Sequence, residues 1–393
     1  MRREINAIVI ACLTVVTWGA ILPGALGQEV TPKKHDNAEA RTLIASAEQA
    51  AAKIAEKKKK VDALEDVARL KADAGDYEGA RLIARALGTN ESKSKILREM
   101  ALQQILGGDV ATGIQTIAGI AAVEDKMVAY GEIIDELIEE NKSDVASEVL
   151  GHAIDIKLPD DTTVGVPLLV LGRAFAKIGK PEAASKLASL IEAKGTPWDD
   201  LVATILAMAK AYNHNMAGAR AKYAEIHIPL FKGLALESIA GAQRKFGDKT
   251  GAAATYKQWI DLVQKALISD TKVLLDIAEA QRRNGDTADF QATLALALAA
   301  VRKKEDEDLI NLIAARQADA GDVESALTTL ATLKKDSSQA IGKKSIAYTK
   351  AKTGDVPGAL ATAPVDADAY TQTEVLLGTA KGILESLKPV AKP

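Results

Sequence analysis

The sequence predicts an all-α fold, a right-handed α-solenoid of about nine helix-turn-helix repeats of roughly 35 residues each. Three observations predict it: an aliphatic composition poor in aromatics, a Gly-Asp turn that recurs along the chain, and small residues held at a fixed distance around that turn. Of 393 residues, 48% are hydrophobic but only 4% aromatic, so the apolar content is mainly Ala, Leu, Ile and Val. Short side chains of this kind let helices approach closely.

The turn is the element that repeats. Gly75-Asp76, Gly108-Asp109, Gly179-Lys180, His214-Asn215, Gly247-Asp248, Gly285-Asp286, Gly321-Asp322 and Gly354-Asp355 mark it, and Asn141 to Asp144 supplies a less regular version. Spacings of about 33 to 38 residues leave room for two helices of roughly 12 residues and two turns. Gly ends the first helix because it tolerates the left-handed backbone just past the last turn. The Asp that follows caps the second helix and suits the positive end of its dipole.

Small residues define how the two helices meet. Ala68 and Ala80, Ala207 and Ala219, Ala240 and Ala252, Ala314 and Ala326, and Ala347 and Ala359 are each 12 apart, facing across the hairpin. Val67, Leu206, Ile239, Ile313 and Ile346 precede the first Ala of each pair and fill the groove between helices. Asp36 and Ala40-Arg41 precede Asp76 and Ala80-Arg81 by 40 residues, so the amino-terminal stretch reads as an orphan second helix. It is expected to be a polar end cap, with Lys57 to Lys60 at its negative carboxyl end. At the other end, Leu376 to Leu387 reads as a closing helix before the tail Lys388 to Pro393. Lys157 to Val166, with Pro159 and Pro167 nearby, is the candidate bend.

The hairpin period and small-residue pairing resemble the tetratricopeptide repeat superfamily over essentially the whole chain after the leader. Leu168, Leu171-Gly172, Phe175 and Ala184 match best, supplying a large apolar, a small, an aromatic and a small residue in order. Elsewhere the aromatic position holds Lys71, Gln104, Lys210, Gln243, Gln281, Gln317 or Lys350, and the terminal Pro is missing. HEAT-type relatives, whose turns also favour Gly-Asp, stay open. The resemblance implies a superhelix whose concave face, lined by first helices, holds peptides or partner proteins.

Arg2 and Arg3, an apolar run from about Ala7 to Leu22, and Ala25-Leu26-Gly27 before Gln28 read as a cleavable export signal. The organisation expected is therefore a signal peptide over residues 1–27, a linker and capping helix over 28–60, a tetratricopeptide-like repeat solenoid over 61–370, and a capping helix and tail over 371–393. Val9-Ile10-Ala11-Cys12 also fits a lipoprotein box, although the apolar run continues past Cys12. An uncleaved anchor over Ile5 to Leu22 is a further alternative. Cys12 is the sole cysteine, so the cleaved chain has neither a disulfide nor a thiolate metal ligand. A bacterial periplasm or cell surface is the compartment expected.

A net charge of −3 points to neither nucleic acid nor an anionic membrane surface. No phosphate loop, zinc-hydrolase, calcium-loop or nucleophile-elbow motif occurs. The histidines His35, His152, His214 and His227 are scattered and read as surface or packing residues. Asp160-Asp161 and Asp306-Asp308 sit in loops or at helix starts, where solvation and capping account for them. The expectation is a non-enzyme without metal or cofactor, binding a protein or an extended peptide. A self-associating structural envelope protein and an enzyme acting on envelope polymers are the alternatives.

Three constellations are candidates for the binding face. Arg173, Lys177, Arg244, Lys245, Arg282 and Arg283 recur on the last turns of successive first helices, as a groove for carboxylates and backbone carbonyls or as simple helix-end chemistry. Trp198, Tyr212, Tyr223, Phe231, Phe246, Tyr256 and Trp259 form either a pocket, with Tyr212 beside the basic stripe, or the bulky centre of an Ala-rich core. Gln104, Gln243, Gln281 and Gln317 share one repeat position and read as a polar ladder along the groove, or as groups that cap and solvate it.

Overall fold

The computed structural model describes residues 37–154, 165–192, 199–265, 271–283, 285–302, 306–333 and 336–388. Residues 1–36, with Cys12, His35 and Asp36, lie outside them, as do Asp160, Asp161, Trp198 and most of the expected bend after Lys157. Among the described residues the chain is all helical, with no strand. In chain order the helices are α1 (Asn37–Ala52), α2 (Lys57–Asp73), α3 (Tyr77–Leu87), α4 (Asn90–Leu106), α5 (Val110–Ala118), α6 (Val123–Glu139), α7 (Ser143–Ile154), α8 (Gly165–Lys177), α9 (Pro181–Glu192) and α10 (Asp199–Tyr212). They continue as α11 (Met216–Ala224), α12 (Pro229–Lys245), α13 (Lys249–Lys265), α14 (Thr271–Arg283), α15 (Thr287–Arg302), α16 (Glu307–Asp319), α17 (Val323–Leu330), α18 (Ala340–Lys352), α19 (Val356–Leu360) and α20 (Ala369–Leu387). No described helix is long and apolar enough to cross a membrane.

Every turn marked by the repeat joins two helices through a left-handed residue. Gly75, Gly108, Gly179, Gly247, Gly285, Gly321 and Gly354 take positive φ, and so do the two non-glycine turn residues, Asn141 at 57° and His214 at 63°. The amide of the next residue wraps back onto the first helix: Asp76 to the Lys71 carbonyl at 2.7 Å, Asn215 to Lys210 at 2.9 Å, Asp248 to Gln243 at 2.8 Å. These bonds satisfy carbonyls that a helix end otherwise leaves open. Asp76, Asp109, Asp248, Asp322 and Asp355 then accept the amide three residues ahead at 2.8–3.1 Å, and Asn215 does the same. Asp286 departs from this pattern, because Arg244 holds its Oδ1 at 2.9 Å.

The paired alanines are all fully buried, as are Val67, Ile239, Ile313 and Ile346. Leu206 differs: it is partly exposed, and Ile205 is the buried neighbour. Ile205 presses on Gly172, where a Cβ would come within 2.9 Å of its Cγ1. That contact explains why α8 needs a small residue at this point if it is to lie against α10. Leu168, Leu171, Phe175 and Ala184, which complete the same phrase, are buried.

The chain divides into two compact units. One is Gly108–Leu296, in which α6, α8, α10 and α12 pack in succession. The other combines the described residues up to Gly107 with the chain from Ala297 onward. Here α1 and α20, read from sequence as closing helices at opposite ends, pack against each other. The orphan second helix has found an orphan first helix, and the two make a hairpin from the two ends of the chain. Ala40, Ile44, Ala47 and Ala51 on α1 are almost wholly buried, so α1 is no polar outer cap. On the other side α20 lies against α18, where Gly378 and Gly382 leave room for the α18 backbone. Lys344 of α18 ties the arrangement together through ion pairs with Asp66 of α2 and Glu374 of α20.

Lys57 to Lys60 also differ from expectation. They form the first turn of α2, because α1 stops at Ala52 and a new helix starts after the extended Glu56. The boundary expected between residues 60 and 61 therefore falls inside α2. Lys60 still serves α1, donating from Nζ to the Ala52 carbonyl at 2.6 Å.

Candidate functional site

The residues singled out for binding all lie near the carboxyl ends of first helices in the Gly108–Leu296 unit: Arg173 and Lys177 on α8, Tyr212 on α10, Arg244 and Lys245 on α12, Arg282 and Arg283 on α14. The structure brings them to one face and adds carboxylates between them. Arg173 Nη2 meets Asp135 Oδ2 of α6 at 2.7 Å, and Lys177 Nζ lies 3.3 Å from the other oxygen of the same carboxylate. Arg173 also stands 3.9 Å from Glu237 of α12. Arg283 reaches Glu139 at 3.4 Å and shares Glu279 with Arg282, at 3.1 and 2.6 Å. Arg283 and Glu139 are 144 residues apart in sequence, and their contact closes the network.

Burial gives this network its strength. Side-chain exposure is 11% for Asp135, 13% for Arg173 and 4% for Glu279. Burial pushes the Asp135 carboxyl up, but Arg173 and Lys177 overcome it and hold the group below its usual range. Tyr212 moves the other way, its phenol raised by burial and by the nearby Asp135 and Glu237 carboxylates. Lys245 Nζ sits 5.7 Å over the Tyr212 ring and donates to the Lys177 carbonyl at 3.2 Å. That last contact is helix-end chemistry, an ammonium on a terminal carbonyl.

The carboxylates that sequence reasoning missed were marked by repeat register. Glu139 occupies the position two before the turn that also holds Lys177, Tyr212, Lys245 and Arg283. Asp135 and Glu279 stand six before it, the position of Arg173. Read down those positions, the stripe is a ladder of mixed sign, not a basic one.

No protein-family model and no curated protein matches the sequence. Among solved structures, a Rap protein crystallised in complex with competence and sporulation factor aligns over 83% of this chain and 96% of its own, at 11% identity and a TM-score of 0.31. A likeness at that level carries no argument about this chain.

The other constellations fall into the packing. Phe231, Tyr256 and Trp259 are buried, and Tyr212, Tyr223 and Phe246 pack on a small core of Ala211, Ala219, Ile239 and Ala242. His214 stacks on Phe246 with ring centroids 3.8 Å apart. Gln104, Gln243 and Gln281 are buried, so they do not line a groove. Gln243 works inside its own hairpin, donating to Asp248 at 2.9 Å and accepting from Thr255 at 2.7 Å. His227 exposes its ring beside Asp200, whose carboxylate takes the His227 and Ile228 amides at the start of α12. Asp306 caps α16 through the Leu309 amide at 3.1 Å. Among the described residues no cluster of His, Cys, Asp or Glu is placed to hold a metal ion.

Proposed function

We propose that the chain is a non-catalytic scaffold of the bacterial cell envelope that binds a protein or an extended peptide on its first-helix face. The fold behind this reading is a tetratricopeptide-like right-handed superhelix of about nine hairpins. One observation carries it: charged side chains from α6, α8, α12 and α14 meet on a single face of the Gly108–Leu296 unit. A face with both signs of charge can exchange internal ion pairs for bonds to a partner's carboxylates, ammonium groups and backbone. Placement in the envelope rests on the leader read from Arg2, Arg3 and the apolar run that follows.

Affinity capture with residues 28–393 from a bacterial envelope extract tests the reading. A variant with Arg244, Lys245, Arg282 and Arg283 changed to Ala should lose the captured partner while its circular dichroism stays helical. Lys245→Gln, which gives up a carbonyl contact and no ion pair, is the milder companion should the fourfold variant unfold. Capture of the same set by parent and variants, or of nothing but the chain itself, would favour the self-associating structural reading.

A further inference from the structure

Tyr212, at the end of α10, lies among charged groups from α6, α8 and α12 and uses its polar atom unlike any of them. Gly241 of α12 makes room for it: a Cβ there would come within 2.9 Å of the Tyr212 hydroxyl oxygen. The side chain is only partly exposed, yet among the described residues its hydroxyl has no hydrogen-bond partner. Burial and the Asp135 and Glu237 carboxylates raise the phenol, so it keeps its proton and remains a donor. Lys245, exposed on the last turn of α12, stands beside it. Its Nζ meets a π face, 5.7 Å over the Tyr212 ring, and a neutral oxygen, the Lys177 carbonyl at 3.2 Å, so neither contact cancels its charge. The two nearby carboxylates are already engaged: Arg173 and Lys177 hold Asp135 at 2.7 and 3.3 Å, and Arg173 stands 3.9 Å from Glu237.

We propose that Tyr212 and Lys245 form the subsite that takes a carboxylate of the bound peptide, with the Tyr212 hydroxyl and the Lys245 ammonium donating to its oxygens. This rests on the reading of the first-helix face as a peptide-binding surface and names the group that anchors the peptide there. A carboxylate suits the pair because it only accepts hydrogen bonds, offsets the charge that Lys245 carries, and offers two oxygens to two separate donors. A backbone carbonyl would satisfy the hydroxyl but leave the ammonium charge uncancelled, and a cation on the peptide would be repelled by Lys245. An acidic side chain and a free carboxyl end present the same chemistry to the subsite.

The probe comes from a library of random peptides of about nine residues, displayed with free carboxyl ends and selected on the full chain. The enriched peptide is made in three fluorescein-labelled forms: as selected, with its Asp and Glu changed to Asn and Gln, and with its carboxyl end amidated. In fluorescence anisotropy one of the two changes should weaken binding at least about tenfold, and which one does so tells a side chain from the chain end. Tyr212→Phe, which keeps the ring, and Lys245→Gln, at an exposed position, should each weaken binding of the selected peptide about fivefold or more. Both should leave binding of the form that lacks the critical carboxylate unchanged, since they remove only what that carboxylate meets. A selected peptide indifferent to loss of its carboxylates, or to either substitution, overturns the subsite and leaves the peptide-binding reading in place. Failure of the library to enrich any peptide counts against that reading itself, and the subsite falls with it.

Discussion

Gly247 and Gly382 are glycines for different physical reasons, and substitution separates them. Gly247 takes φ of 83° with nothing near where a Cβ would stand, so its requirement is purely conformational. Gly247→Ala should cost about 1 kcal/mol in urea unfolding. At Gly382 the backbone is ordinary helix, but a Cβ would lie 2.5 Å from the Tyr348 carbonyl oxygen. Two helices must move apart, so Gly382→Ala should cost roughly 2–3 kcal/mol in the same assay. Titration distinguishes another residue of that unit. Burial pushes the Asp73 carboxyl up to about 6, against the pull of Lys388 and Lys381. Its folded value exceeds the unfolded one, so the folded chain binds this proton more tightly, and stability falls as pH rises between the ordinary carboxylate range and about 6. Asp73→Asn should therefore be more stable than the parent by roughly 1–2 kcal/mol at neutral pH, with the gain fading toward pH 4. Urea midpoints across that range check it.

At the scale of elements, the turns were legible because their chemistry is local. A left-handed residue, a wrapped-back amide and a capping carboxylate are all set within a few positions, so Gly75-Asp76 and even His214-Asn215 could be read from sequence. The Lys and Gln residues that replace the expected aromatic looked like defects. In the structure Lys71 and Gln243 reach from the last turn of the first helix to the Asp that caps the second, at 3.4 and 2.9 Å. They brace the same turn by another means. The charged face was half legible. Its cations stood out as a run, whereas Asp135 and Glu139 lie in a repeat whose turn is irregular, and their register shows only after Asn141 is aligned with the glycines. Asp135→Ala should be the most damaging change on that face, about 3 kcal/mol or more in urea unfolding, because it leaves Arg173 buried without its main partner. Lys177→Gln, on the more exposed of the two cations, should cost less than half as much.

For the whole molecule, the pairing of α1 with α20 had no local signal, because it joins residues from opposite ends of the chain. Each helix alone was readable: α1 carried the Ala-Arg pattern of a second helix, and Leu376 to Leu387 read as a closing helix. Their pairing is a long-range consequence of two unfinished hairpins, each burying an apolar face that its own neighbours leave open. Stability is built hairpin by hairpin, from contacts between neighbours within each unit. Hydrogen exchange of Ile277→Asp, followed amide by amide, tests this most directly, since Ile277 is fully buried in α14. Protection should collapse in α14 and the helices beside it while α2 and α4 stay as protected as in the parent. A uniform loss of protection along the chain would instead mean that the helices unfold as one cooperative whole.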